Sequence, residues 1–216
     1  MRRGHRHRIF LAVLPLAAAL SPLSVTAQAD DLARVREKYD AATVARIEVL
    51  IRDAEADGVP RSLLVEKAVE GAAKGMKAPI VIEGVEKWAG ELRDAVRILG
   101  HGAESEGLAK VAESINHGVD RGVVRRLAGT HPADYPIMLQ AIEDLLHAGV
   151  GLEAAQGTVA DAASHGMKSQ DVLTISATVR RMVREGRSPV DAANAIRRNI
   201  RAGRGVIPPP PPSPPR

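Results

Sequence analysis

Ile80-Val81-Ile82-Glu83-Gly84-Val85-Glu86-Lys87-Trp88-Ala89-Gly90-Glu91-Leu92-Arg93-Asp94-Ala95-Val96-Arg97-Ile98-Leu99 is the stretch that decides the fold class. Val81, Val85, Trp88, Leu92, Ala95 and Leu99 recur at intervals of 4, 3, 4, 3 and 4, which places them on one face of an α-helix. A strand would need apolar residues at alternate positions. The same spacing fits a 3.5-residue seam. It runs for fewer than three heptads, so it predicts packing on a neighbouring helix rather than a long coiled coil. Trp88 belongs to this stripe and is expected in the core.

The pattern continues to either side. Met138, Ile142, Leu145 and Leu146 form a second helical stripe, opened by Asp134 and Pro136. Val172, Ile175, Val179, Met182 and Val183 form a third, with Asp171 near its start and Arg180, Arg181 and Arg184 near its end, as the helix dipole favours. Ser188-Pro189-Val190-Asp191 reads as a capping box with proline in the first turn. Glycines punctuate the helix ends. The expected fold is all-α, with about nine helices forming helical hairpins packed as a bundle or short solenoid-like array, and no significant sheet.

Two of those punctuation marks echo. Gly58-Val59 recurs as Gly149-Val150 and Gly75-Met76-Lys77 as Gly166-Met167-Lys168, both at an offset of 91 residues. Gly118-Val119 stands 31 residues before Gly149, about the length of a helix–turn–helix repeat. The side chains between the marks share little: from 60 to 74 only Ala72 matches its partner, Ala163. A duplicated array and an irregular bundle both fit this pattern.

The chain's 216 residues include no cysteine, which excludes disulfide frameworks, thiolate nucleophiles and Cys-ligated zinc. Residues 1–29 read as a secretory signal: Arg2, Arg3, Arg6 and Arg8, then an apolar run from 9 to 20, then Ala27-Gln28-Ala29 as a cleavage site. The mature protein is expected to be secreted or periplasmic. Residues 30–205 read as a single helical domain, and residues 206–216, rich in proline, as an extended tail.

The formal net charge is +4, but the leader supplies all of it, and the rest divides by position. Residues 30–176 carry a net −7, whereas residues 177–216 carry nine arginines against Glu185 and Asp191. In the last helix Ala193, Ile196 and Ile200 make a narrow apolar stripe flanked by Arg197, Arg201 and Arg204, with Arg198 further out. These four arginines are the expected partner-binding residues, facing an anionic envelope component or an acidic protein surface. Nucleic acid is not expected, because base-stacking aromatics are almost absent.

Signatures of chemistry are weak. No Gly-x-Ser-x-Gly, Ser-x-x-Lys or Gly-x-x-x-x-Gly-Lys motif occurs. His117, His147 and His165 precede glycines at inferred helix ends, where a histidine can cap carbonyls. Asp53, Glu55 and Asp57 before Gly58 resemble the first half of a calcium loop, but Leu64 stands where the bidentate glutamate belongs. The reading is an exported, non-enzymatic helical interaction module without a cofactor. The alternative is a small extracytoplasmic hydrolase or metal-dependent enzyme with its site assembled across helices.

Overall fold

In the computed structural model residues 32–206 are described; the expected signal segment and all but the first residue of the expected tail lie outside them. Ten helices and no strand form among these residues. A helix over 32–38 (α1) leads into α2 (Ala41–Ala56), α3 (Arg61–Ala73), α4 (Ala78–Leu99), α5 (Ser105–Asn116), α6 (Arg121–Thr130), α7 (Tyr135–His147), α8 (Leu152–Ser164), α9 (Ser169–Arg184) and α10 (Pro189–Arg201).

Four successive helix pairs, α2–α3, α5–α6, α7–α8 and α9–α10, are joined by one kind of turn. The first helix ends at a glycine with φ of 87°, 88°, 82° or 93° (Gly58, Gly118, Gly149, Gly186), a conformation in which a Cβ would clash. The next N–H then reaches back to the carbonyl five residues earlier: Val59 to Ala54, Val119 to Ser114, Val150 to Leu145 and Arg187 to Met182, at 2.9–3.1 Å. This is the Schellman closure. In the first three turns the residue after glycine is a valine that is 2% exposed, so each turn is also pinned into the core.

The 91-residue echo extends well beyond the turns. Shifting α3 by 91 residues gives the bounds of α8, and the starts of α4 and α9 coincide in the same way. Buried positions coincide too: Ile51 with Ile142, Ala54 with Leu145, Leu64 with Ala155, Ala68 with Val159, Val81 with Val172. Leu64 and Ala68 in one half become Ala155 and Val159 in the other, so bulk moves by one turn while the filled space is kept. The correspondence lapses inside α4, which is 22 residues long against 16 for α9.

Helices pack on their neighbours along the chain. α2 and α3 lie on α4, α4 on α5 and α6, both of these on α7, and α7 and α8 on α9 and α10 respectively. The core is therefore a continuous strip of Val, Leu, Ile, Ala and Met. In α4 the fully buried residues are Val81, Val85, Ala89, Leu92, Ala95 and Val96, while Trp88 and Leu99 are only partly buried. The helix is covered from two sides, so its buried face is wider than one stripe and shifts toward alanine where neighbours come close. Val206, read from the sequence as the start of the tail, is 7% exposed and belongs to the packed array.

Candidate functional site

The C-terminal hairpin is built as its sequence predicts. Ser188 Oγ accepts the Asp191 N–H at 3.1 Å and donates to the Asp191 carboxylate at 2.6 Å, closing the start of α10. Ala192, Ala193, Ile196 and Ile200 are buried. One turn apart on the flank of this stripe, Arg197 and Arg201 both reach Asp161 on α8. Arg197 Nε bonds Asp161 Oδ2, Arg201 Nε bonds the same oxygen at 2.8 Å, and Arg201 Nη2 lies 3.3 Å from Oδ1.

Gly157 lets the Arg197 guanidinium lie close on α8. It sits one turn before Asp161 on α8, and a Cβ there would come within 2.8–3.0 Å of the Arg197 guanidinium. With hydrogen in that place the planar group lies close on the helix. Burial alone would raise the Asp161 carboxyl; the hydrogen bonds and charges of Arg197 and Arg201 outweigh it and hold the group below its ordinary range. Two of the four expected partner-binding arginines are thus engaged inside the molecule.

The other two remain at the surface. Arg198 is exposed and, among the described residues, pairs with no acid. Arg204 follows Gly203, ties its backbone N–H to Asn199 O at 2.9 Å, and projects beside the outer face of α9. There a cavity of about 720 Å³ is lined by residues of α9, the loop before it and the segment after α10, including Arg181, Arg184 and Arg204.

The remaining sequence candidates are not brought together. Asp53 and Glu55 lie on the last turn of α2, two residues and therefore about 200° apart. Glu55 pairs with Arg61 at 3.2 Å and Asp57 with Arg93 at 2.6 Å. Among the described residues no three His, Asp or Glu side chains are grouped to hold a metal ion. His117 and His165 are the C-cap residues of α5 and α8, and His147 ends α7. His165 Nδ1 lies 2.8 Å from the Asp161 carbonyl, the contact expected of a capping histidine.

The sequence gives no hint of a polar cluster between α5 and α7. Glu143, 5% exposed, is bonded by the Lys110 ammonium and by Ser114 Oγ at 3.0 Å, with His117 Nδ1 3.8 Å away. Lys110 also reaches Gln140 Oε1 at 2.8 Å. Ser114 is fully buried, so its hydroxyl serves the carboxylate rather than a ligand. Beside this cluster a groove of about 1100 Å³ opens between α4, α5, α6 and α7, with Tyr135 in its wall. Burial and the charge of Glu104 raise the Tyr135 phenol above its ordinary range. Glu143 follows the buried Ile142 on α7, and the bonds across to Lys110 and Ser114 on α5 explain its burial.

No family model matches the chain, and neither a curated protein nor a solved structure is found to resemble it.

Proposed function

We propose that this protein is an exported, non-enzymatic helical interaction module. Its C-terminal hairpin binds an anionic envelope component or an acidic protein partner. The observation that carries the reading is the sorting of the arginines. Arg197 and Arg201 are paired with Asp161, whereas Arg184, Arg198 and Arg204 face outward with no acid partner among the described residues. Arginines left unpaired at one end of a body whose remainder is acidic make a surface that attracts anions.

The repeated geometry supports an array built by duplication of a three-helix unit, in which α2, α3 and the start of α4 correspond to α7, α8 and the start of α9. The matching bounds of α3 and α8, the matching starts of α4 and α9, the glycine turns and the shared buried positions across a 91-residue shift support this origin. Stacked hairpins of this kind bury a continuous core and leave long faces for partners. Export rests on the order of charge, apolar run and small residues in 1–29.

Sedimentation with anionic vesicles tests the reading. The mature protein should bind phosphatidylglycerol vesicles, bind neutral ones far less, and release as salt rises past ~0.15 M. Arg198→Gln/Arg204→Gln should weaken binding without lowering the melting temperature. Absence of binding by the wild type, or binding that ignores salt, would overturn it.

A further inference from the structure

The outer face of α9 is where the array stops. α9 buries Val172, Ile175, Ser176, Val179 and Met182 against the preceding helices. Asp171, Thr174, Thr178 and Arg181, at intervals of 3, 4 and 3, lie on a different face, together with Ala177 and Arg184. No further helix covers that face among the described residues. Instead the chain after α10 turns back at Gly203 and brings Arg204 and Val206 alongside, closing one wall of the cavity.

The lining has two characters. Met167, Ala177 and Val206 supply apolar surface, extended by the methylene stems of the arginines. Arg181, Arg184 and Arg204 supply three guanidinium groups against one acid, Asp171. Arg181 has only a 3.8 Å approach to Glu185, and Arg184 and Arg204 pair with no acid among the described residues. The two threonine hydroxyls donate to carbonyls of their own helix, Thr174 to Asp171 O and Thr178 to Thr174 O. The free donors facing the cavity are therefore the arginines.

We infer that this cavity binds an anionic amphiphile, a phosphate or carboxylate head on Arg181, Arg184 and Arg204 with its aliphatic chain along Met167, Ala177 and Val206. The inference rests on the reading of the C-terminal hairpin as an anion-binding surface and gives that surface a site and a ligand class. Charge complementarity selects an anion, and guanidinium groups suit phosphate and carboxylate through paired hydrogen bonds. The size selects more than a bare anion: about 720 Å³ lies within the range of small-molecule sites. The apolar surface selects an aliphatic chain over a sugar or a nucleotide, for which no aromatic platform lines the cavity.

Calorimetric titration of residues 30–216 with dodecyl phosphate below its micelle concentration tests the site. Inorganic phosphate and dodecyl maltoside separate the contributions of head and chain. Dodecyl phosphate should bind, and both comparison ligands should bind at least about tenfold more weakly. Arg184→Gln/Arg204→Gln should lose about tenfold or more, with Arg52→Gln, on the exposed surface of α2, within about twofold of wild type. Ala177→Asp, which places a carboxylate in the cavity, gives an independent loss should the double variant fold poorly. Equal affinity for inorganic phosphate would reduce the site to a bare anion contact and overturn the inference. Vesicle binding without dodecyl phosphate binding would overturn it and leave the broader reading standing; loss of both would end both.

Discussion

Glu70 and Asp161 occupy the same place in the two halves of the array, 91 residues apart, and each is held by two cations. Their cations come from different sources. Lys67 and Lys74 lie on either side of Glu70 in sequence, one turn before it and one turn after. Arg197 and Arg201 reach Asp161 from another helix, 36 and 40 residues away. The first arrangement stiffens one helix end at an exposed surface, where ion pairs contribute little. The second ties α8 to α10, with a carboxylate that is 17% exposed. One position in a repeated frame can serve local or long-range order, and what packs beside it decides which.

The widest separation between the halves lies one helix earlier. Glu143 is buried because α5 covers that side of α7; its counterpart 91 residues before, Arg52, is exposed. Lys110→Met, which leaves the Glu143 carboxylate buried with only Ser114 to bond, should cost about 3 kcal/mol in denaturant unfolding. Arg52→Met should change stability by less than about 0.5 kcal/mol. Comparable effects at the two positions would erase the distinction between inner and outer edges.

Next in size is the clamp itself. Asp161→Ala strands the Arg197 guanidinium of α10 against α8 and should destabilise by about 2 kcal/mol, whereas Glu70→Ala should cost below about 0.5 kcal/mol. Thermal melts of the two variants measure the difference. If Glu70→Ala proved the costlier, local pairing would outweigh the inter-helix tie.

A smaller and equal effect is expected where the halves agree. Gly75 and Gly166 have φ of 67° and 68°, and neither has an atom within 4 Å of where a Cβ would stand. Gly75→Val and Gly166→Val should each cost about 1–2 kcal/mol from backbone strain alone, and by the same amount. Unequal losses would show that the two turns are alike in shape but not in energy.

The smallest effect appears in acid. Hydrogen bonds from Lys74 and Lys67 bring the Glu70 carboxyl down to about 2 from its ordinary 4.5. Its folded value is depressed, so its contribution is complete above the ordinary carboxylate range and is lost as pH falls through about 2. Asp161 follows the same sign. Stability of wild type relative to Asp161→Asn should be constant from neutral pH to about 5 and shrink below about 4, while Glu70→Gln should show a change below about 0.5 kcal/mol.

Periodicity made the helices legible. Glycines marked their ends because the left-handed turn excludes most other residues, and the 91-residue spacing is legible at the turns because turn geometry restricts residue choice more than core packing does. Volume exchanges such as Leu64/Ala68 for Ala155/Val159 hid the same relation within the helices. Trp88 was misplaced because a single stripe cannot describe a helix covered on two sides. The α10 arginines were legible as a cationic flank, but their partner was not: Asp161 is one acid among 26, and no local pattern points from it to α10. The cavity on α9 was hidden for a similar reason, since Arg204 and Val206 reach it only after the chain reverses at Gly203.

Because each hairpin rests only on its neighbours, a pull on the two ends of the chain meets links in series rather than one block. The last hairpin, α9 and α10, runs from Ser169 to Arg201, so peeling it from the C-terminal end would release roughly 110 Å of extended backbone in one step. The Asp161 clamp sits across the last of these links, and under tension it would be the first latch to give.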